Sequence, residues 1–158
     1  YSSAASDVYK RQVHAFIIGE HGDSELAAWS SATVSGVPIN TFCEMRGHFN
    51  HDEATERIAE NVKNSAYEII AKKKATYFGV AMAVRRICEA IIRDEKSILP
   101  VSNLMHGEFG ISDISLSMPA IVGAHGVENR IPITLDEEET EKLQSSAGTL
   151  KKIIEEVL

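Results

Sequence analysis

His21 stands between two glycines in Ile18-Gly19-Glu20-His21-Gly22-Asp23-Ser24, directly after an apolar run. Histidine is the side chain whose ordinary titration falls near neutrality. A positioned imidazole can therefore take up or release a proton during a reaction, an effect worth roughly 10²–10⁴ in rate. Residue type alone does not make it catalytic, because a lone histidine beside a turn is more often structural. Asp23 has the chemistry to orient an imidazole as in a catalytic triad. Its place between Gly22 and Ser24 favours a turn residue instead. His48 and His51 are three residues apart, but no cysteine or further histidine stands at metal-ligand spacing. That stretch reads as a polar loop, and no metal site is expected. No G-x-G-x-x-G is present: Gly19 with Gly22, and Gly107 with Gly110, have the wrong spacing. The dinucleotide phosphate cradle is not encoded by that fingerprint.

The elements around His21 follow from hydropathy period. VHAFIIGE, residues 13–20, reads as a short buried strand ending at Gly19, with a tight turn around His21. Residues 26–34, rich in Ala and Ser, suggest a short helix. VPINTF, residues 37–42, suggests a further strand, and residues 47–53 a polar connection. Ile58, Val62, Ala66, Ile69 and Ile70 then recur at helical spacing, with Asn50 or Asp52 as its cap. Residues 75–92 are apolar on more faces, so that segment should be largely buried or lie at an interface. One long kinked helix and two abutting helices both fit, with Gly79 as a weak point. SILPVSNLM, HGEFG and ISDISLSMPAIVG read as strand, turn and strand in an antiparallel hairpin. Pro100 and Pro119 should sit at strand starts or edges. Asp136 opens a last helix whose first turn is acidic, with Leu143, Leu150, Ile153, Ile154 and Val157 as its buried stripe. Strands, helices, hairpin and helix in that order make an α+β fold, not alternating βαβ units.

Composition narrows the function classes. The chain has 158 residues, 44% of them hydrophobic, enough for one domain with a real core. A net charge of -7 argues against nucleic acid, whose phosphates need clustered Lys and Arg. The run Lys72-Lys73-Lys74 lies inside a helical pattern and reads as a solvated face. No apolar run approaches the roughly 20 residues that span a bilayer, so no membrane role is expected. Cys43 and Cys88 are far apart, which fits a reduced, cytoplasmic chain better than a disulfide scaffold.

I-G-E-H-G-D-S, followed by E-L-A-A-W-S, resembles the active-site signature of the NAD-dependent L-lactate dehydrogenases, within the lactate/malate dehydrogenase family. The resemblance continues through VSGVPI, KKKATYFGVAMAV, ILPVSNLMHGEFGISD and SMPAIVG to the final helix. It implies the C-terminal, substrate-side domain of such an enzyme over residues 13–158, with antiparallel strands packed on long helices and no Rossmann domain. It implies His21 as the catalytic proton acceptor and donor. Oxidation of a secondary alcohol requires one, since the hydroxyl proton must leave as the hydride goes to nicotinamide. Thr76 matches a threonine that lines the substrate pocket; the bland reading is a helix threonine bonded to its own backbone. Val80 matches an apolar position beside the nicotinamide, though packing alone explains it equally well. His14 matches a position that binds the fructose bisphosphate effector in allosteric bacterial enzymes, against the alternative of an ordinary strand histidine.

The resemblance also implies what must come from elsewhere. In the family, the dinucleotide fold and the Asp that pairs with the histidine lie upstream. So do an Arg that grips the substrate carboxylate and the loop that separates lactate from malate. No segment of this chain matches them, so NAD would be bound mainly outside it. Residues 1–12, YSSAASDVYKRQ, do not continue the resemblance and read as a non-native leader. Pyruvate and lactate are the implied substrates, and a homotetramer the implied full-length assembly. Glu20 before His21, and Glu25-Leu26-Ala27-Ala28-Trp29 after it, favour lactate over the alternative, a malate dehydrogenase fragment. A second alternative is a non-catalytic assembly or effector-binding module, which the apolar segment 75–92 keeps open.

Overall fold

A computed structural model describes residues 13–157. The leader expected over residues 1–12 lies outside them. The centre is an antiparallel sheet of β6 (Ser97–His106), β7 (Ser112–Gly123) and β8 (Gly126–Arg130), with β7 in the middle. Alternation in β7 sends Ile114, Leu116, Met118, Ala120 and Val122 inward. Ser115 and Ser117, between them, face the other way. The hairpin read from the sequence is present, with Ser97 opposite Val122 and Ser102 opposite Ser117.

Pro100 lies opposite Pro119 in that hairpin. Neither proline has an N–H to give, so the two must occupy a non-hydrogen-bonded pair of the ladder. Pro100 is on the edge strand, as expected. Pro119 is not: it lies inside the central strand, where only its carbonyl is used, accepting from the Ile131 N–H at 3.0 Å. The polar strand β8 has no apolar alternation because it is an exposed edge, and the pattern gave no sign of it.

Residues 13–42 differ most from expectation. The apolar run at 13–20 is two short strands, β1 (Val13–His14) and β2 (Ile17–Ile18), because the chain changes partners between them. β1 pairs with β4 (Thr33–Val34), which pairs with β5 (Val37–Pro38). β2 pairs with β3 (Leu26–Ala27). The helix expected over 26–34 is instead β3, a single 3-10 turn at Trp29–Ser31 and β4. Sheet pairing overrides the helix propensity of its alanines. The strand expected over 37–42 stops at Pro38 and becomes helix α1 (Ile39–Met45), with Pro38 supplying its fixed φ at the helix start.

Two helices follow, α2 (His51–Lys73) and α3 (Tyr77–Ile92). The break is at Lys74, not Gly79. Lys74 is left-handed (φ 68) and its N–H caps the Ile70 carbonyl at 2.7 Å. Within this chain α3 is not buried: Phe78 is 78% exposed and Ile92 83%, and Ala90 is its one fully buried residue. The last helix, α4 (Glu137–Val157), starts where expected. The Asp136 carboxylate accepts the Glu139 N–H at 2.8 Å and the Glu139 carboxylate accepts the Asp136 N–H at 3.3 Å, a reciprocal capping box. Its buried stripe is shorter than expected. Leu143, Ser146 and Ala147 are buried, while Ile153, Ile154 and Val157 are exposed.

The core gathers Ile18, Leu26, Ala28, Met105, Ile111, Ile114, Leu116, Met118, Leu143 and Ala147. Each large side chain so buried contributes roughly 1.5–3 kcal/mol. β2, the hairpin and the first half of α4 thus form one unit. Antiparallel strands with segregated helices make the fold α+β, as the sequence indicated.

Candidate active site

The loop bearing His21 leaves the core at Gly19. The Gly19 N–H donates to the Ser117 carbonyl at 3.0 Å, and the Ser117 N–H donates back at 2.8 Å. This bridge sits on the β8 side of β7, beyond the end of β8, and joins the exit of β2 to the central strand. Gly19 has φ +96, and a Cβ there would come within 2.9 Å of the Ser146 Oγ and 3.2 Å of Leu26. Only glycine meets both demands.

Past Gly19, α4 takes over. The Glu20 N–H donates to the Ser146 Oγ at 2.9 Å, and the Ser24 Oγ lies 3.1 Å from the same oxygen. Ser24 gives its own proton to the Glu20 carboxylate. On its far side the loop meets α2. The Tyr67 hydroxyl donates to the Asp23 carboxylate at 2.7 Å. The Lys63 ammonium donates to the Asp23 carbonyl. The carboxylate beside it raises the Tyr67 phenol above its ordinary value, since ionising Tyr67 would break the hydrogen bond and set two negative charges together. Asp23 is therefore occupied by α2 and does not orient His21, in keeping with its reading as a turn residue.

His21 itself is exposed, and no hydrogen bond joins it to another described residue. It is the exposed tip of a loop held at both ends. Thr76 is half-buried at the N-cap position of α3, without a capping hydrogen bond from its side chain. The alternative of a mid-helix threonine bonded to its own backbone does not apply there. Val80, one turn on, is 56% exposed, on the same helix face as Thr76 by the four-residue spacing. α2 links these residues to the loop, though Lys73, its last residue, lies about 9 Å along the axis from Tyr67. His14 stands apart, exposed in β1 opposite Thr33. His51 starts α2 and faces the Glu44 carboxylate at 3.7 Å. Among the described residues no group of three or more His, Cys, Asp or Glu is placed to hold a metal.

A cleft of about 780 Å³ lies between the start of α2 and the start of α4, lined by Trp29, His51, Glu56, Lys63, Asp136 and Lys142 among others. It contains none of His14, His21, Thr76 or Val80. Its many opposed carboxylates suit water better than a small anionic substrate, so the loop and not the cleft is the candidate site.

Sequence reasoning missed Ser146, Tyr67 and Lys63. Ser146 had a signal: it stands three residues after Leu143 and four before Leu150, on the apolar face, where a small polar residue marks close approach of another backbone. Tyr67 and Lys63 had none, since their partner is forty residues away.

The family model for the lactate/malate dehydrogenase, alpha/beta C-terminal domain, matches residues 2–158. The chain belongs to the lactate/malate dehydrogenase family. Among family members, L-lactate dehydrogenase of Acetivibrio thermocellus is 51% identical over 144 residues, which cover 91% of this chain and 45% of that protein. L-lactate dehydrogenase of Thermoanaerobacter pseudethanolicus is 47% identical over 147 residues, covering 93% and 47%. The crystal structure of the minor L-lactate dehydrogenase of Enterococcus mundtii, in its ligand-bound form, superposes with a TM-score of 0.87 at 42% identity. That match covers 94% of this chain and 47% of the other. This family member thus spans about half the length of the curated relatives it matches. No helix among its described residues is long and apolar enough to cross a membrane.

Proposed function

We propose that residues 13–158 are the substrate-side domain of a cytoplasmic, NAD-dependent L-lactate dehydrogenase, and that His21 is its proton acceptor. The observation that carries this is the His21 loop: pinned at Gly19, Glu20, Asp23 and Ser24, with the imidazole exposed at its tip. A general base needs that combination of fixed position and open access. In lactate oxidation the hydroxyl proton passes to the His21 imidazole as the C2–O bond becomes a carbonyl, giving pyruvate; reduction returns the proton from the same ring. NAD, when bound, supplies the hydride acceptor. For that cofactor's nicotinamide end, Val80 offers a flat ring an exposed apolar surface. Thr76, at the start of the same helix, lines the substrate pocket. His14, exposed on β1, contributes to a fructose bisphosphate site. The orienting carboxylate for His21 and the clamp for the substrate carboxylate come from the dinucleotide-binding half of the enzyme, so the 158-residue chain by itself turns over no pyruvate.

Joining residues 13–158 to the N-terminal half of the Acetivibrio thermocellus enzyme tests this. The chimera should oxidise NADH with pyruvate, its specificity loop being supplied by the Acetivibrio half. A folded, NADH-binding chimera that does not reduce pyruvate would overturn the enzyme reading. The second reading, an assembly module, is favoured by the exposed apolar residues of α3. Sedimentation of the 158-residue chain would show oligomers in that case. In the full enzyme the exposed apolar residues of α3 other than Val80 fit subunit contacts of a homotetramer.

A further inference from the structure

The loop that carries His21 has two ends, and a single buried hydroxyl holds both. Ser146 is 0% exposed, on a face of α4 shared with Leu143 and Ala147. A hydroxyl in such a place needs partners, since an unpaired one would be costly. Its oxygen accepts the Glu20 N–H at 2.9 Å. Ser24 has one proton and gives it to the Glu20 carboxylate. The 3.1 Å contact between the two serine oxygens is therefore a donation from Ser146 to Ser24. The result is a closed ring: Glu20 N–H to Ser146, Ser146 to Ser24, Ser24 to the Glu20 carboxylate. Every proton is used once. The residues enclosed are His21, Gly22 and Asp23. No room remains between Ser146 and the Gly19 backbone, because a Cβ on Gly19 would lie 2.9 Å from the Ser146 Oγ.

We propose that Ser146 is the positioning residue for His21, fixing the imidazole relative to the core sheet through the two ends of its loop. This rests on the reading of His21 as the proton acceptor. Ser146 is too deeply buried to touch substrate. Its effect is on where His21 stands, and misplacement by about 1 Å can cost on the order of 10²-fold in rate. The ring also explains why both Glu20 and Ser24 flank the histidine: an alanine at either position would open it.

The test uses Ser146→Ala in the isotope-labelled 158-residue chain, with Ser24→Ala as a second variant that leaves the core intact. In Ser146→Ala the Glu20 amide should exchange about tenfold faster or more, the size expected for one lost buried hydrogen bond. The His21 ring resonances should narrow toward those of a mobile side chain, while the Leu116 and Met118 amides stay protected. Ser24→Ala should show the same loop signature more weakly, and it decides the matter if Ser146→Ala fails to fold. In the chimera, Ser146→Ala should lower kcat about tenfold or more and leave the KM for NADH unchanged. An unaltered Glu20 amide and His21 ring overturn the proposal at the clamp itself and leave His21 as proton acceptor untouched. A loosened loop with unchanged kcat overturns it through the His21 reading on which it rests.

Discussion

The sheet side and the helical arm of this chain are built from similar material and end in opposite states. α4 and α3 both carry apolar residues at helical spacing. Leu143 of α4 is wholly buried against the sheet cluster, whereas Phe78 of α3 is 78% exposed. α2, twenty-three residues long, has no fully buried residue. Apolar pattern alone does not decide burial; a partner surface does. On the sheet side β2, β6, β7 and α4 supply it from within the chain. Among the described residues the arm finds such a surface mainly at the end of α3, where Ala90 is buried and the helix meets β7; most of its other apolar residues are exposed. The His21 loop sits at the seam. Its firm contacts, at Ser117 and Ser146, are to the sheet side. Its contact with the arm, through Tyr67 and Lys63, is exposed and polar.

That contrast can be broken by substitution. The largest effect should fall on chemistry: His21→Asn in the chimera should lower kcat by about 10²–10⁴ without weakening NADH binding, as measured by steady-state kinetics and titration. Next comes the core. Leu143→Ala should destabilise the chain by about 2–5 kcal/mol in a denaturant melt. Smaller again is the α4 cap, where Asp136→Ala should cost about 1 kcal/mol by the same assay. Smallest is the arm: Phe78→Ala should change stability by less than about 0.5 kcal/mol in this chain. A large loss there would mean that the arm is packed after all.

Acid should sharpen the same division. The Glu139 N–H and then the Ser30 hydroxyl hold the Asp136 carboxyl below its usual value of 3.8. A lowered carboxylate stabilises the fold fully above its unfolded value, and the contribution disappears as pH falls through the folded one. Amides in the first turn of α4 should therefore stay protected down to about pH 4 and lose protection below it, as followed by hydrogen exchange. Loss of that protection above pH 5 would contradict the cap.

The hairpin was legible in the sequence because β7 alternates cleanly and its turn is marked by Gly107 and Gly110. The start of α4 was legible because Asp136 and Glu139 are local to each other. The division of residues 13–42 was not legible, since whether Val13 and Ile17 share one strand depends on partners at Val34 and Ala27. The kink fell at Lys74 and not Gly79 because the αL cap formed where the chain turned, without needing glycine. His21 stood out by its setting between glycines and by resemblance. The residues that hold it did not, because Ser146 and Tyr67 meet the loop only in three dimensions.

The His21 loop belongs to the sheet side and not to the arm. Amide hydrogen exchange across the 158-residue chain tests that directly. The Gly19 and Glu20 amides should exchange on the slow timescale of Leu116 and Met118, while Ile69, Val80 and Val84 exchange much faster. Gly19 and Glu20 exchanging as fast as the arm, with Leu116 still protected, would contradict it.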